Sequence, residues 1–198
     1  MSSAFIKIPK KRIAVLIGKD GKTKKTIEKK TNTIIKIDSR DGSVEIIPKE
    51  DIDGIVNLWK ARDIVKAIGR GFSPERAFKL FDDDVYFEVI DLEQFFNSKK
   101  SIHRIKGRII GNEGKSRALI EKLTDTYISV YGNTVSIIGE FQPFKVAKKA
   151  IMLLIQGATH SKVFRFLHKK HKELQKQKYS LWKIVPETRE DFEDIEPL

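Results

Sequence analysis

The stretch Ile17-Gly18-Lys19-Asp20-Gly21-Lys22 returns 93 positions later as Ile110-Gly111-Asn112-Glu113-Gly114-Lys115. In each copy two glycines bracket a polar pair, between an apolar-periodic segment and a basic one. Glycine tolerates backbone conformations that a β-carbon forbids, so the spacing predicts a tight turn joining two helices. A single Gly-x-x-Gly is a common string that usually marks a turn and nothing more. Its weight here comes from what repeats around it.

At the same offset Lys22 meets Lys115, Ile27 meets Ile120, Glu28 meets Glu121 and Lys29 meets Lys122. Thr31, Thr33 and Ile35 then meet Thr124, Thr126 and Ile128. A shortening by two residues brings Val44, Ile46 and Ile47 onto Val135, Ile137 and Ile138. Further along, Gly71-Phe72-Ser73 falls on Gly157-Ala158-Thr159, and Phe78 on Phe164. The length changes fall at turns, where chains tolerate them. The sequence is a duplication.

Within each copy the periodicity is readable. Ile35 and Ile37 alternate with Lys36 and Asp38, and Ile128 and Val130 with Ser129 and Tyr131, which predicts half-buried strands. Asp41-Gly42 and Gly132-Asn133 signal turns into second strands at 44–47 and 135–138. Ala61, Ile64, Val65 and Ile68, and likewise Ala147, Ala150, Ile151 and Leu154, form helical stripes that end at Gly69 or Gly71 and at Gly157. Ile6 and Ile8, and Val85, Phe87 and Val89, mark a first strand in each unit. The expected order is β-α-α-β-β-α, twice: an α+β fold. Residues 1–81 make the first unit with a linking helix opened by Ser73-Pro74. Residues 82–178 make the second, with an extra basic helix, and 179–198 form an acidic tail.

The chain has 198 residues, 40% of them hydrophobic, which is enough for true cores. It has no cysteine, which excludes disulfide and zinc-thiolate frameworks and fits a reducing compartment. The first residues show no apolar signal core and no run is long enough to span a membrane, so a cytoplasmic protein is expected. Net charge is +12 and the pI near 9.7. Residues 187–198 hold six acids and one Arg, which leaves +17 on the rest. Such a body attracts polyanions, nucleic acid first among them, although lysine-rich proteins of hot environments are also basic.

A helix N-terminus presents unpaired N–H groups and a partial positive charge to an anion. Glycines on both sides of the turn let a phosphate approach that backbone. The candidate contacts in the first unit are Gly18, Lys19, Asp20, Gly21, Lys22 and Lys25, with Ile35 on an apolar wall for bases. In the second they are Arg108, Gly111, Asn112, Glu113, Gly114, Lys115 and Arg117, with Ile128 on the wall. The loops are unequal: Lys19 offsets Asp20 in one, whereas the other pairs Glu113 with neutral Asn112. This arrangement resembles the KH domain, whose Gly-x-x-Gly loop clamps about four nucleotides of a single strand. Its element order is that of the type I, eukaryotic-type topology. A KH surface can also dock a protein, and that alternative stays open for either unit.

Other constellations are weaker. His168 and His171, three apart on a helix among lysines, read as a solvated patch rather than a metal site. Asp82-Asp83-Asp84 reads as a linker cap, and Trp59 and Trp182 as packing residues. No P-loop, dinucleotide-binding glycine pattern or Ser-His-Asp set is present, so neither an enzyme nor a cofactor is expected.

The stretches 107–115, 126–132 (Thr-Tyr-Ile-Ser-Val-Tyr-Gly) and 135–139 (Val-Ser-Ile-Ile-Gly) resemble the archaeal two-KH ribosome-assembly factor family related to Dim-two, or partner of Nob-one. The resemblance covers nearly the full chain. It implies a small-subunit rRNA maturation factor that binds single-stranded RNA near the 3′ end of that rRNA and positions it for the PIN-domain nuclease Nob-one; a monomer is expected. Some members also associate with the alpha subunit of translation initiation factor two. Eukaryotic relatives have lost the first loop, whereas Gly18 and Gly21 are kept here. Rival readings are a scaffold using KH surfaces for protein contacts and a general translation or RNA-decay module.

Overall fold

The computed structural model describes residues 3–49 and 54–182. Residues 183–198, most of the expected acidic tail, lie outside the described residues. The duplicated positions earn their repetition by making the same bonds. In the first unit, β1 (Ala4–Lys7) is followed by α1 (Lys10–Ile17), the glycine loop and α2 (Lys22–Lys30). At the end of α2 the Thr31 hydroxyl donates to the Ile27 carbonyl at 2.7 Å and meets the Thr33 hydroxyl at 2.9 Å. Asn32, at φ 46°, then reverses the chain into β2 (Thr33–Ile37). The Ile35 N–H donates to the Glu28 carboxylate at 2.8 Å, which ties the helix to the strand it precedes.

The second unit repeats this with Thr124 to Ile120 at 2.7 Å, Thr124 to Thr126 at 2.8 Å, Asp125 at φ 50°, and Ile128 N–H to Glu121 at 2.7 Å. A buried hydroxyl or strand N–H without a partner costs about 1–3 kcal/mol, which explains why these polar positions recur with the apolar ones.

Next come β3 (Ser43–Pro48) and α3 (Gly54–Gly69), then the linking turn α4 (Pro74–Ala77). The second unit runs β4 (Val85–Asp91), α5 (Lys99–Ile110), α6 (Lys115–Thr124), β5 (Tyr127–Tyr131), β6 (Thr134–Glu140) and α7 (Phe141–Ile155). The added helix α8 spans His160–Trp182, a turn longer than the sequence pattern indicates. Each unit has a three-stranded antiparallel sheet, ordered β1-β3-β2 and β4-β6-β5. β2 and β5 are therefore edge strands. Each stripe expected on α3 and α7 is fully buried beneath its own sheet.

The units are not independent beads. Val85, Phe87, Tyr127 and buried Ile138 project from the second sheet into the first unit's apolar cluster, where Phe87 meets Phe72 edge-on at 6.4 Å. The Ser129 hydroxyl donates to the Arg70 carbonyl at 2.8 Å, just beyond α3. Gly71, at φ 99°, leaves room there: a β-carbon would stand 2.7 Å from Ser129 Oγ and 3.1 Å from the Tyr131 ring. One face of the second sheet thus covers its own helices and the other covers the first unit. Val85 and Phe87 of the expected first strand thus mark this inter-unit face rather than the unit's own core, which β4 reaches through Ile90.

Candidate nucleic-acid interface

The two loops have the same backbone. Gly18 lies at φ 74°, ψ 174° and Gly111 at φ 74°, ψ 176°, a region essentially closed to other residues. Asp20 and Glu113 follow in the left-handed region at φ 55° and 52°, and Gly21 and Gly114 at φ 73° and 78°. The glycines within a loop do different work. A β-carbon on Gly111 would stand 2.5 Å from Ser116 Cβ and 2.7 Å from Ser116 N, and one on Gly18 would strike Thr23. These first glycines let α2 and α6 begin directly against the loop. A β-carbon on Gly21 would approach only the Lys25 side chain, at 3.7 Å, and one on Gly114 would meet nothing within 4 Å. The second glycines face open space.

That space lies over a helix N-terminus whose N-cap, Gly21 or Gly114, makes no side-chain capping bond, and whose first turn holds no acid. The Lys22 and Lys115 N–H groups bond back to the Lys19 and Asn112 carbonyls within the loop. No side chain caps the rest of the turn, and the positive end of the helix dipole lies behind the opening. Lys19, Asp20, Lys22 and Lys25 are exposed around the first loop, and Asn112, Glu113 and Lys115 around the second. In the second loop Lys115 already pairs with Glu113 at 2.9 Å, so its cation is partly spent on its own acid.

From each loop the helix runs down beside the edge strand and the strand runs back up. The bond from Glu28 to Ile35, or Glu121 to Ile128, closes the lower end of the slot between them. Asp38 N–H donates to Ser43 O within the hairpin, so even positions of β2 face β3 and odd ones face the slot. Ile37 in one unit and Val130 in the other are therefore next toward the loop, with their backbone groups turned outward and their side chains partly buried.

Two sequence expectations are corrected by this geometry. Ile35 and Ile128 are 0% and 1% exposed; their side chains belong to the core and cannot form a groove wall. Ile37 and Val130 stand at the slot instead. Arg108 is also redirected: its guanidinium donates to the Leu154 carbonyl at 3.4 Å and the Ala158 carbonyl at 2.6 Å, fastening α5 to the end of α7. Arg12 does the same in the first unit, to Ile68 O and Phe72 O at 2.8 and 2.5 Å. Arg117 stays at the slot, 3.6 Å from Glu121.

Sequence reasoning missed Arg76. From the first unit's linking turn it reaches across to Glu121, 3.6 Å away, and lies 5.2 Å from the centre of the Tyr127 ring. No local pattern could reveal it, because its partners lie in the other unit. His171, read as part of a solvated patch, is bonded through Nδ1 to the Leu123 carbonyl at 2.8 Å. Among the described residues no group of three or more His, Asp or Glu gathers as a metal would require, and no helix is long and apolar enough to cross a membrane.

Two edge-stranded βααββα units, each with a Gly-x-x-Gly loop at a helix start, define a tandem type I KH protein. Comparison with known proteins agrees. Residues 86–172 match the model of the eukaryotic type KH domain (KH-domain type I), and residues 3–55 match that of the KH domain. A KH domain-containing protein of Methanocaldococcus jannaschii is 47% identical over 196 residues, covering 99% of this chain and 86% of that protein. The RNA-binding protein pno-1 of Caenorhabditis briggsae is 30% identical over 165 residues, 82% of this chain but 60% of the nematode protein. Among solved structures, the crystal structure of an a/eIF2alpha–aDim2p–rRNA complex from Pyrococcus horikoshii matches with TM-score 0.80 and 48% identity, over 87% of this chain and 95% of that one. The chain belongs to the archaeal Dim2/PNO1 family of two-KH-domain proteins.

Proposed function

We propose that this protein is a ribosome-assembly factor that binds single-stranded RNA near the 3′ end of small-subunit rRNA and holds it for the maturation nuclease, a Nob-one-type PIN enzyme. The observation that carries the reading is the second glycine of each loop, which opens an uncapped helix start to solvent beside exposed cations. A phosphate there sits at the positive end of the helix dipole and accepts from N–H groups beyond Lys22 or Lys115 in that turn. Lys19, Lys22 and Lys25 add charge in the first unit and Lys115 and Arg117 in the second, while the bases lie toward Ile37 and Val130. The nematode relative's RNA-binding name and the rRNA in the Pyrococcus complex support the ligand. We divide the chain at residues 81 and 82, and read it as a cytoplasmic monomer that binds and does not catalyse.

The first unit favours a second role. The outer face of its sheet exposes Phe5 (72%) and Ile34 (42%), whereas the matching face of the second sheet is covered by the first unit. This face suits a protein partner, and the initiation factor two alpha subunit, present in the Pyrococcus complex, is our candidate.

The test is ultraviolet crosslinking of a small-subunit rRNA 3′ fragment to the full chain, with the crosslinked peptides mapped. Crosslinks within 17–25 and 110–117 are expected. A map confined to α8 or to the outer sheet faces would overturn the reading.

A further inference from the structure

Behind the second loop, on the side of α6 away from the β5 slot, lies an open recess of about 270 Å³. Gly111, Asn112 and Ser116 form its loop side, and Leu119, His160 and Phe164 its far wall. Arg117 and Glu121, which face the slot, lie on the opposite side of the helix, so the recess and the slot flank the same helix start. Leu119 belongs to α6 itself, and the two rings of the far wall come from α8, the helix added to the repeat.

Three features give the recess the chemistry of a planar heteroaromatic ring. His160 and Phe164 set two rings side by side, centroids 5.7 Å apart, on one turn of α8. Ser116 is 4% exposed, and its hydroxyl has no hydrogen-bond partner. A buried hydroxyl left unpaired is costly; the oxygen is enclosed, and a turn of the side chain toward the recess would bring it to a ligand edge offering a donor or an acceptor. His160 Nε2 donates to the Arg108 carbonyl at 2.8 Å, which fixes the ring and leaves Nδ1 without that partner's claim on it.

We propose that this recess binds one nucleobase of the RNA, from a nucleotide that flanks the segment clamped by the second loop. The proposal rests on RNA binding at that loop. A strand whose phosphate sits on the helix start has a neighbouring base within reach of Ser116, one residue past Lys115, and base stacking on an aromatic side chain tolerates any base. The site is specific to the second unit. At the matching positions the first carries Pro74 for His160 and Thr23 for Ser116, and Phe78 packs on Phe81 at 5.3 Å. The loop with the weaker charge thus gains a contact that the stronger one lacks.

The test is a titration of the full chain with four-nucleotide oligoribonucleotides from the small-subunit rRNA 3′ end. The same cores are then extended by one nucleotide on either side, with a normal or an abasic residue. For wild type, a normal extension on one side tightens binding by roughly tenfold and the abasic one does not. Phe164→Leu, which keeps the apolar volume, and Ser116→Ala, which removes only the unpaired hydroxyl, each lose most of that gain and bind the core as wild type does. A gain that survives in both variants, or with the abasic residue, overturns the proposal while leaving the loop reading intact. Cores that do not bind wild type at all remove the loop reading and this proposal together.

Discussion

Gly111 and Gly114 stand three residues apart in one loop, yet Ala at each has opposite consequences. Gly111 sits where backbone strain for a side chain is about 1–3 kcal/mol. Its new methyl would also lie 2.7 Å from the Ser116 backbone nitrogen, so α6 must shift. Together these destabilise Gly111→Ala by about 3 kcal/mol, and a protein of this size loses about 2–4 °C per kcal/mol, or about 6–12 °C in all. At Gly114 the left-handed backbone costs about 1–2 kcal/mol. Reduced freedom of the unfolded chain returns about 0.4–1 kcal/mol, and no atom stands within 4 Å to clash. Gly114→Ala should therefore unfold within about 2–4 °C of wild type. Its methyl, however, stands where the phosphate approaches, and loss of one charge-assisted hydrogen bond weakens RNA binding by roughly tenfold. Thermal unfolding and fluorescence anisotropy read the two effects. Equal thermal losses in both variants, or unchanged RNA affinity in Gly114→Ala, would refute the division of labour.

Further outcomes follow from the same contacts. Arg108→Met removes both carbonyl contacts at the end of α7 and should destabilise by about 1–3 kcal/mol in urea, while the folded protein keeps its RNA affinity; a selective affinity loss would restore Arg108 to the interface. Ile138→Ala should cost about 2–5 kcal/mol and speed hydrogen exchange in α3 as well as β6, because Ile138 packs in the first unit's core; unchanged α3 protection would mean that the units fold separately. Asp41 accepts from the Ser43 hydroxyl and N–H at 2.6 and 2.9 Å, which holds its carboxyl below the usual 3.8. Its stabilisation is present above that unfolded value and is lost as pH falls through the lower folded one. Ser43→Ala should move the Asp41 pKa back up in an NMR titration, and an unmoved value would deny the hydroxyl its role.

Most of the fold was legible because the repeated residues are those whose bonds join elements. Glu28, Thr31 and Thr33, with their counterparts, lock helix to strand, and Gly18 and Gly111 occupy a conformation that only glycine enters. The site was legible in part. Alternation along a strand shows two faces but not what lies against each. The polar face of Tyr127, Ser129 and Tyr131 reads as solvent-facing, yet it packs on the first unit. Likewise Ile35 and Ile37 read alike, while one is core and the other borders the slot. Arg108 illustrates a third limit: a basic residue beside a binding loop looks like a phosphate contact until the carbonyls at the end of α7, some 50 residues on, are seen to hold it.

On the proposed function, both glycine loops hold RNA phosphates. Lys19 and Asn112 are exposed at the two loop tips, so Lys19→Asp and Asn112→Asp place a new negative charge there without disturbing the fold. Anisotropy titrations with the small-subunit rRNA 3′ fragment should show each variant weakened by roughly tenfold, and the pair more, at an unchanged unfolding midpoint. Wild-type affinity in the paired variant would contradict the account.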